Sequence, residues 1–242
     1  MNKIKIIDML EQGLNEAKKF TDPFSLLYFK PFFDDFYDEI LLNLPDTKYY
    51  DPFTHTDLKE HRVSNDGTFP RMLFSLENKS IDRLDQNKKI FWHEFKTIML
   101  SNEVLNLFLN VLKDDLTSLH GKNFIDTVKV RPTIKLGRDF KCYKIKPHPD
   151  SPRRIYTAQI YLPRDAKQKF AGTTIYKKLK KGKFEEIKTL PYVPNRGFLF
   201  PRSELSWHGV KTLNLDSPRD NLHISGFYHD APQDKWDEKY FQ

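Results

Sequence analysis

The chain has 242 residues, of which 38% are hydrophobic and 14% aromatic, with 20 Phe. That apolar content supports a packed core and excludes a chain disordered throughout. Its 40 Lys and Arg against 33 Asp and Glu give a net charge of +7, but the charges are scattered, which reads as solvated surface rather than as a nucleic-acid-binding stripe.

A lone cysteine, Cys142, excludes an intrachain disulfide and suits a reducing compartment. The N-terminus lacks a leader pattern. The longest apolar-rich run, Val104 to Leu112, is interrupted by Asn106 and Asn110 and is too short to span a bilayer. We expect a single domain over 1–242, a cytoplasmic location and no membrane partner.

The spacing of Ile6, Met9, Leu10, Leu14 and Ala17 predicts an amphipathic helix within 2–19. Thr21-Asp-Pro-Phe24 ends it. From Phe24 to Leu44 the chain is dense in Phe, Leu and Tyr. Phe32, Phe33, Phe36, Ile40 and Leu44 fall on one helical stripe that Pro45-Asp46 stops, and this stripe reads as core. Residues 46–80 are polar and turn-rich. His55-Thr-Asp57 and His61 read as loop residues there, and nothing singles out Arg62 or Arg71.

Residues 80–119 return to helical spacing. Phe91, Phe95, Ile98 and Met99 form one stripe, and Leu105, Phe108, Leu109 and Leu112 another, with Ser101 as an N-cap. Helices therefore dominate 1–120. From about 124 the pattern becomes β-rich. Strands are predicted at Thr127–Leu136, Cys142–Lys146, Ile155–Leu162, Thr173–Lys178, Phe184–Leu190, Gly197–Phe200, His208–Thr212 and Leu222–Tyr228. That many short strands in so little chain suggests a sandwich or jelly roll, braced by the N-terminal helices. The fold class expected is mainly β with helices (α+β). The lysine-rich turn around Gly182 reads as a solvated hairpin tip. Only Tyr176 and Phe184 accompany its lysines, so a nucleic-acid partner is not expected.

Tyr143-Lys-Ile-Lys-Pro-His148-Pro-Asp150 is the stretch richest in chemistry. Residues i and i+2 of a strand share a face, so His148 and Asp150 can point together. A third ligand can come from a later strand, and His208 in Ser206-Trp-His-Gly-Val210 follows the buried-looking run Phe198-Leu-Phe-Pro201. Two histidines and one carboxylate on one side of a metal leave positions open, the arrangement of non-haem Fe(II) oxygenases. His-x-Asp alone is weak, and His55-x-Asp57 repeats it. The ordered set, closed by Arg219 before Asn221-Leu-His-Ile-Ser-Gly-Phe-Tyr228, is specific.

Through His148-Pro-Asp-Ser-Pro, Thr157-Ala-Gln-Ile-Tyr-Leu-Pro163, Ala171-Gly-Thr-Thr174, Asn195-Arg-Gly-Phe-Leu-Phe200, His208-Gly-Val210 and Arg219…Ile224-Ser-Gly-Phe-Tyr228, residues 130–228 resemble the Fe(II)/2-oxoglutarate-dependent dioxygenase superfamily in its prolyl-hydroxylase-like branch. The resemblance implies a double-stranded β-helix as the catalytic core over 124–230. It implies Fe(II) on His148, Asp150 and His208, with O2 and 2-oxoglutarate as co-substrates. The far carboxylate of 2-oxoglutarate would pair with Arg219. Tyr161 would donate to it, and Thr157 and Gln159 would share the face of Tyr161. The implied reaction hydroxylates a small molecule or peptide while 2-oxoglutarate becomes succinate and CO2, with loops 46–80 and 163–171 setting substrate choice. Asp150 favours hydroxylation over halogenation, and Ser225, six residues after Arg219, departs from the nucleic-acid demethylase pattern. The competing expectation is a non-catalytic jelly-roll module that binds a sugar or peptide.

Overall fold

The computed structural model describes residues 1–29, 33, 36–53 and 69–230. His55, Asp57, His61, Arg62 and Phe32 lie outside the described residues.

Helix α1 (Lys3–Asn15) forms where the apolar spacing predicts it, and the Asn2 side chain accepts from the Lys5 backbone N–H at its start. The aromatic run that follows departs from expectation. Strands β1 (Lys18–Phe20) and β2 (Leu26–Tyr28) precede the stripe expected from Phe32 to Leu44, and among the described residues of that stripe the short helix α2 (Tyr37–Leu42) forms. The reason is tertiary. Leu27 and Tyr28 pair with Leu199 and Phe198 of a distant strand, and such pairing decides where the local sequence does not. The turn-rich stretch also contributes β3 (Asp51–Pro52) and β4 (Arg71–Ser75). Short strands thus join the helices in the N-terminal part.

Helices α3 (Asn78–Ile81), α4 (Gln86–Met99), α5 (Asn102–Val111), α6 (Lys113–His120) and α7 (Phe124–Thr127) fill the next stretch. Asp85 caps α4, and Ser101 caps α5 as its position predicts. All eight later strands form, with shifted ends: β5 (Val130–Asp139), β6 (Ile145–His148), β7 (Arg154–Tyr161), β8 (Thr174–Lys178), β9 (Phe184–Thr189), β10 (Arg196–Pro201), β11 (His208–Val210) and β12 (Arg219–Tyr228). The first begins later than expected because Phe124–Thr127 closes a helical turn.

These strands build two antiparallel sheets. The larger runs β1-β2-β10-β7-β12-β5-β4-β3 and the smaller β6-β11-β8-β9. No described helix is long and apolar enough to cross a membrane.

Strand alternation gives the large sheet two unlike faces. Ile134, Leu136, Ala158, Ile160, Leu222 and Ile224 point one way and pack with Ile6 and Leu10 of α1, Trp92 and Phe95 of α4 and Phe108 of α5 in one buried cluster. The opposite face turns toward the small sheet. There Tyr161, Phe198 and Phe200 share a second cluster with Ile175 and Val210. Between the sheets lie the polar residues that the apolar pattern leaves over.

Candidate metal and oxyanion site

His148 ends β6 and His208 opens β11, and the two are direct antiparallel partners. Directly opposed side chains approach closely, and the rings lie 4.6 Å apart by their centroids. Gly209 makes this approach possible: a Cβ there would sit 2.6 Å from the Ile145 carbonyl oxygen, so no larger residue fits beside the paired histidines. Each ring is fixed by its own strand. The Nδ1 of His148 lies 2.9 Å from the Lys146 carbonyl, and the Nδ1 of His208 lies 2.9 Å from that of Ser206. A carbonyl only accepts, so both Nδ1 atoms carry the proton and both Nε2 atoms are left as lone-pair donors.

Asp150 completes the group. One ligand atom from each of His148, Asp150 and His208 lies within 4.8 Å of the other two. Arg154 donates from Nη1 to Asp150 Oδ1 at 2.7 Å, and the Thr157 hydroxyl donates to Oδ2. A carboxylate accepts at about four positions, so one donor on each oxygen leaves capacity for a cation. Burial pushes the Asp150 carboxyl upward, but Arg154, His208, His148 and the Thr157 hydroxyl together hold it below its ordinary value. Burial, reinforced by His208, pushes His148 down to about 3. The group thus presents two imidazoles whose Nδ1 atoms face carbonyls and one ionised carboxylate, a donor set that suits a divalent first-row metal.

At the far end of the same face stands a row across three strands. Arg71 of β4, Asp139 of β5 and Arg219 of β12 are successive backbone partners. Asp139 accepts from Arg71 Nε at 2.6 Å on one oxygen and from Arg219 Nη1 on the other. Arg219 is fully buried and also reaches Thr173 with Nη2 at 3.4 Å. Its Nε has no partner. One carboxylate against two guanidiniums leaves this row with an excess positive charge. The Tyr161 hydroxyl accepts from the Thr173 backbone N–H at 2.9 Å, which leaves its own O–H to donate. The Arg219 guanidinium stands 5.6 Å from the Tyr161 ring centre.

The structure thus brings His148, Asp150 and His208 to one end, and Arg219 and Tyr161 to the other. Thr157 stands beside Asp150, and Gln159 lies between the ends, donating to Asn221 at 2.9 Å. Sequence reading missed Arg154, Asp139, Arg71, Lys135 and His223 on this face. Arg154 lies four residues past Asp150, and His223 four past Arg219 on one strand, so period-two spacing marks the latter. The pairing of Arg71 with Asp139 across 68 residues leaves no local signal.

No protein-family model matches the chain, and no curated protein does. Solved structures do resemble it. A prolyl 4-hydroxylase from Phytophthora capsici aligns with a TM-score of 0.58 at 13% identity, covering 95% of this chain and 66% of that one. A prolyl hydroxylase from Trichoplax adhaerens, solved with a hypoxia-inducible-factor peptide fragment, aligns with a TM-score of 0.48 at 13% identity over 93% of this chain and 90% of its own. An oxidoreductase of the 2OG-Fe(II) oxygenase family from Burkholderia pseudomallei gives 0.49 at 11% identity over 96% and 92%. The chain shares its fold with the Phytophthora prolyl 4-hydroxylase, a likeness that spans about two thirds of that protein's length.

Proposed function

We propose that the chain is an Fe(II)- and 2-oxoglutarate-dependent dioxygenase that hydroxylates its primary substrate on a double-stranded β-helix. The observation that carries this reading is the three-ligand group His148, Asp150 and His208, two histidines paired across β6 and β11 and a carboxylate from the turn that follows β6. The strand order supports the fold reading. From β5 on, the chain crosses repeatedly between the sheets, with β5, β7, β10 and β12 in one and β6, the hairpin β8–β9 and β11 in the other. We read 124–230 as the catalytic core and the preceding residues as its brace within a single domain.

In this reading Nε2 of His148, Nε2 of His208 and one oxygen of Asp150 would hold Fe(II). The metal supplies a centre at which O2 and a 2-oxo acid react together, which no side chain offers. The chain's own residues do the rest. The carbonyls of Lys146 and Ser206 fix both imidazoles in the tautomer that leaves Nε2 as donor. Arg154 and Thr157 hold the Asp150 carboxylate from behind. Arg219, with its unpartnered Nε and excess positive row, would bind the far carboxylate of 2-oxoglutarate, and the Tyr161 O–H would donate to the same group. Tyr161, Tyr192 and Phe198 are buried around that end and exclude water. Asp150 keeps a carboxylate where a halide would otherwise bind, which supports hydroxylation.

The test is anaerobic. Fe(II) and then 2-oxoglutarate are added to metal-free protein, and the weak visible band of a 2-oxo acid bound to Fe(II) is recorded. The band is expected in the wild type and absent from Asp150→Ala and His208→Ala, both of which should still fold. A wild type that shows no band at any 2-oxoglutarate concentration sinks the reading and brings the binding-module alternative forward.

A further inference from the structure

One row nearer the ligand group than Asn221, Lys135 of β5 and His223 of β12 are direct backbone partners, and Gln159 of β7 is next in line. All three face the space between the sheets, because their neighbours Ile134, Leu136, Leu222 and Ile224 face the helices. His223 is accommodated by a missing side chain. A Cβ on Gly137 would lie 2.9 Å from His223 Nε2, so the imidazole fills the gap that glycine leaves. That Nε2 is buried and has no hydrogen-bond partner.

Lys135, half-buried beside it, also lacks a partner. The carboxylates close to it on this face are already engaged, Asp139 by Arg71 and Arg219, and Asp150 by Arg154. Among the described residues no hydrogen bond or ion pair is made by the Lys135 ammonium. Burial first, and then the four cations Arg71, Lys135, Arg219 and Arg154, hold the His223 ring neutral. In the tautomer that carries its proton on Nε2, the neutral imidazole and the neighbouring ammonium both present N–H donors without acceptors.

The charge balance points the same way. These four cations face two carboxylates, Asp139 and Asp150. Fe(II) and a doubly ionised 2-oxoglutarate would cancel each other, so the excess positive charge would remain with both bound. An unpaired ammonium is costly even where it is only partly desolvated, and packing gives no reason to keep one. An arriving anion would offset that cost.

We propose that Lys135 and His223 form the recognition site for an oxyanion, a carboxylate or phosphate group, carried by the primary substrate, so that the site acts on an acidic molecule. The proposal rests on the dioxygenase reading for the word substrate, and on Lys135, His223 and Gly137 for the anion. It differs from the co-substrate site, because Arg219 and His223 are four residues apart on β12, ~13 Å along the strand. Burial, followed by the repulsion of Arg154 and Arg71, pushes Lys135 down to about 7, so a bound anion would also secure its charge.

The experiment is calorimetry at fixed ionic strength on protein carrying Mn(II) and 2-oxoglutarate, with methyl phosphate and acetate as separate probes. At least one probe should bind one-to-one, and the tighter one names the group. Lys135→Met and His223→Gln should each weaken that binding at least tenfold, Lys135→Arg should retain it, and 2-oxoglutarate affinity should stay within twofold throughout. Saturable binding by neither probe overturns the proposal, as does binding that ignores Lys135→Met. A parallel loss of 2-oxoglutarate affinity overturns it too, by placing Lys135 in the co-substrate site. The probes are also titrated into metal-free protein. Lys135-dependent binding there, without 2-oxoglutarate binding in any metal form, would remove the dioxygenase reading and leave the anion site standing.

Discussion

The two faces of the large sheet are made by the same strands and do opposite work. On β12, Leu222 and Ile224 join the helical core, while Arg219, Asn221, His223 and Ser225 line the space between the sheets. On β7, Ala158 and Ile160 face the helices, while Thr157, Gln159 and Tyr161 face inward. The apolar face is held by packing, which is non-directional. The polar face is held by a few buried charges whose compensation is specific: Asp139 between two arginines, and Asp150 against Arg154. The difference teaches that stability is spread over many residues on one face and concentrated in two carboxylates on the other.

The sharpest way to break that contrast is Asp139→Ala. It strands the buried guanidiniums of Arg71 and Arg219 without a counter-charge, and removing one partner of a buried pair costs about 3–5 kcal/mol. Urea unfolding should show a loss in this range. A loss below about 1 kcal/mol would mean that water compensates the pair and that the row is not desolvated. The companion on the other face is Ile160→Ala, fully buried among the helices. It should cost about 3 kcal/mol through lost burial and a residual cavity, with 2-oxoglutarate affinity unchanged. A changed affinity would show that the faces are coupled.

Much of this arrangement was legible, for a physical reason. Alternation with period two survives in any strand with one apolar face, so Thr157, Gln159 and Tyr161 could be assigned together before their neighbours were known. His148 and Asp150 are close in the chain, and His208 stands out by following a buried strand. What could not be read was tertiary. Leu26-Leu27-Tyr28 lies in a run dense in apolar residues that has no strand signal of its own, and only its pairing with β10 decides. Arg71 looked like one arginine among many, because its partner Asp139 lies 68 residues away. Arg154 likewise acquires meaning only when the turn after β6 brings Asp150 against it.

Arg219→Ala separates binding from structure on the polar face. Asp139 keeps Arg71, so the remaining charges stay paired and the fold should persist. What goes is a charge-assisted contact to the far carboxylate of 2-oxoglutarate, worth about 1.5–3 kcal/mol. Equilibrium titration with Mn(II) present should show the corresponding weakening. Unchanged affinity would leave Arg219 as a purely structural partner of Asp139.

The smallest effect should carry the opposite sign. Lys135 costs stability, so Lys135→Met should stabilise the metal-free protein, and the gain should depend on pH. Burial lowers the pKa of the folded-state ammonium to about 7 from the ordinary 10.5. Below about 7 both folded and unfolded chains hold the proton, and the folded state bears the cost of a partly desolvated ammonium. Between about 7 and 10.5 the unfolded chain holds the proton while the folded one releases it, so wild-type stability rises with pH across that window. The advantage of methionine is therefore greatest at about pH 6 and fades toward about pH 10. Each tenfold weakening of proton affinity on folding corresponds to ~1.4 kcal/mol, which makes ~5 kcal/mol for the fall from 10.5 to about 7, and partial solvent access to the side chain reduces the gain to ~1 kcal/mol at the acidic end. Parallel urea titrations of both proteins at the two pH values read it directly. A gain of equal size at both would come from methionine packing rather than from charge, and Lys135 would then lose the electrostatic cost that marks it as a residue kept for a ligand.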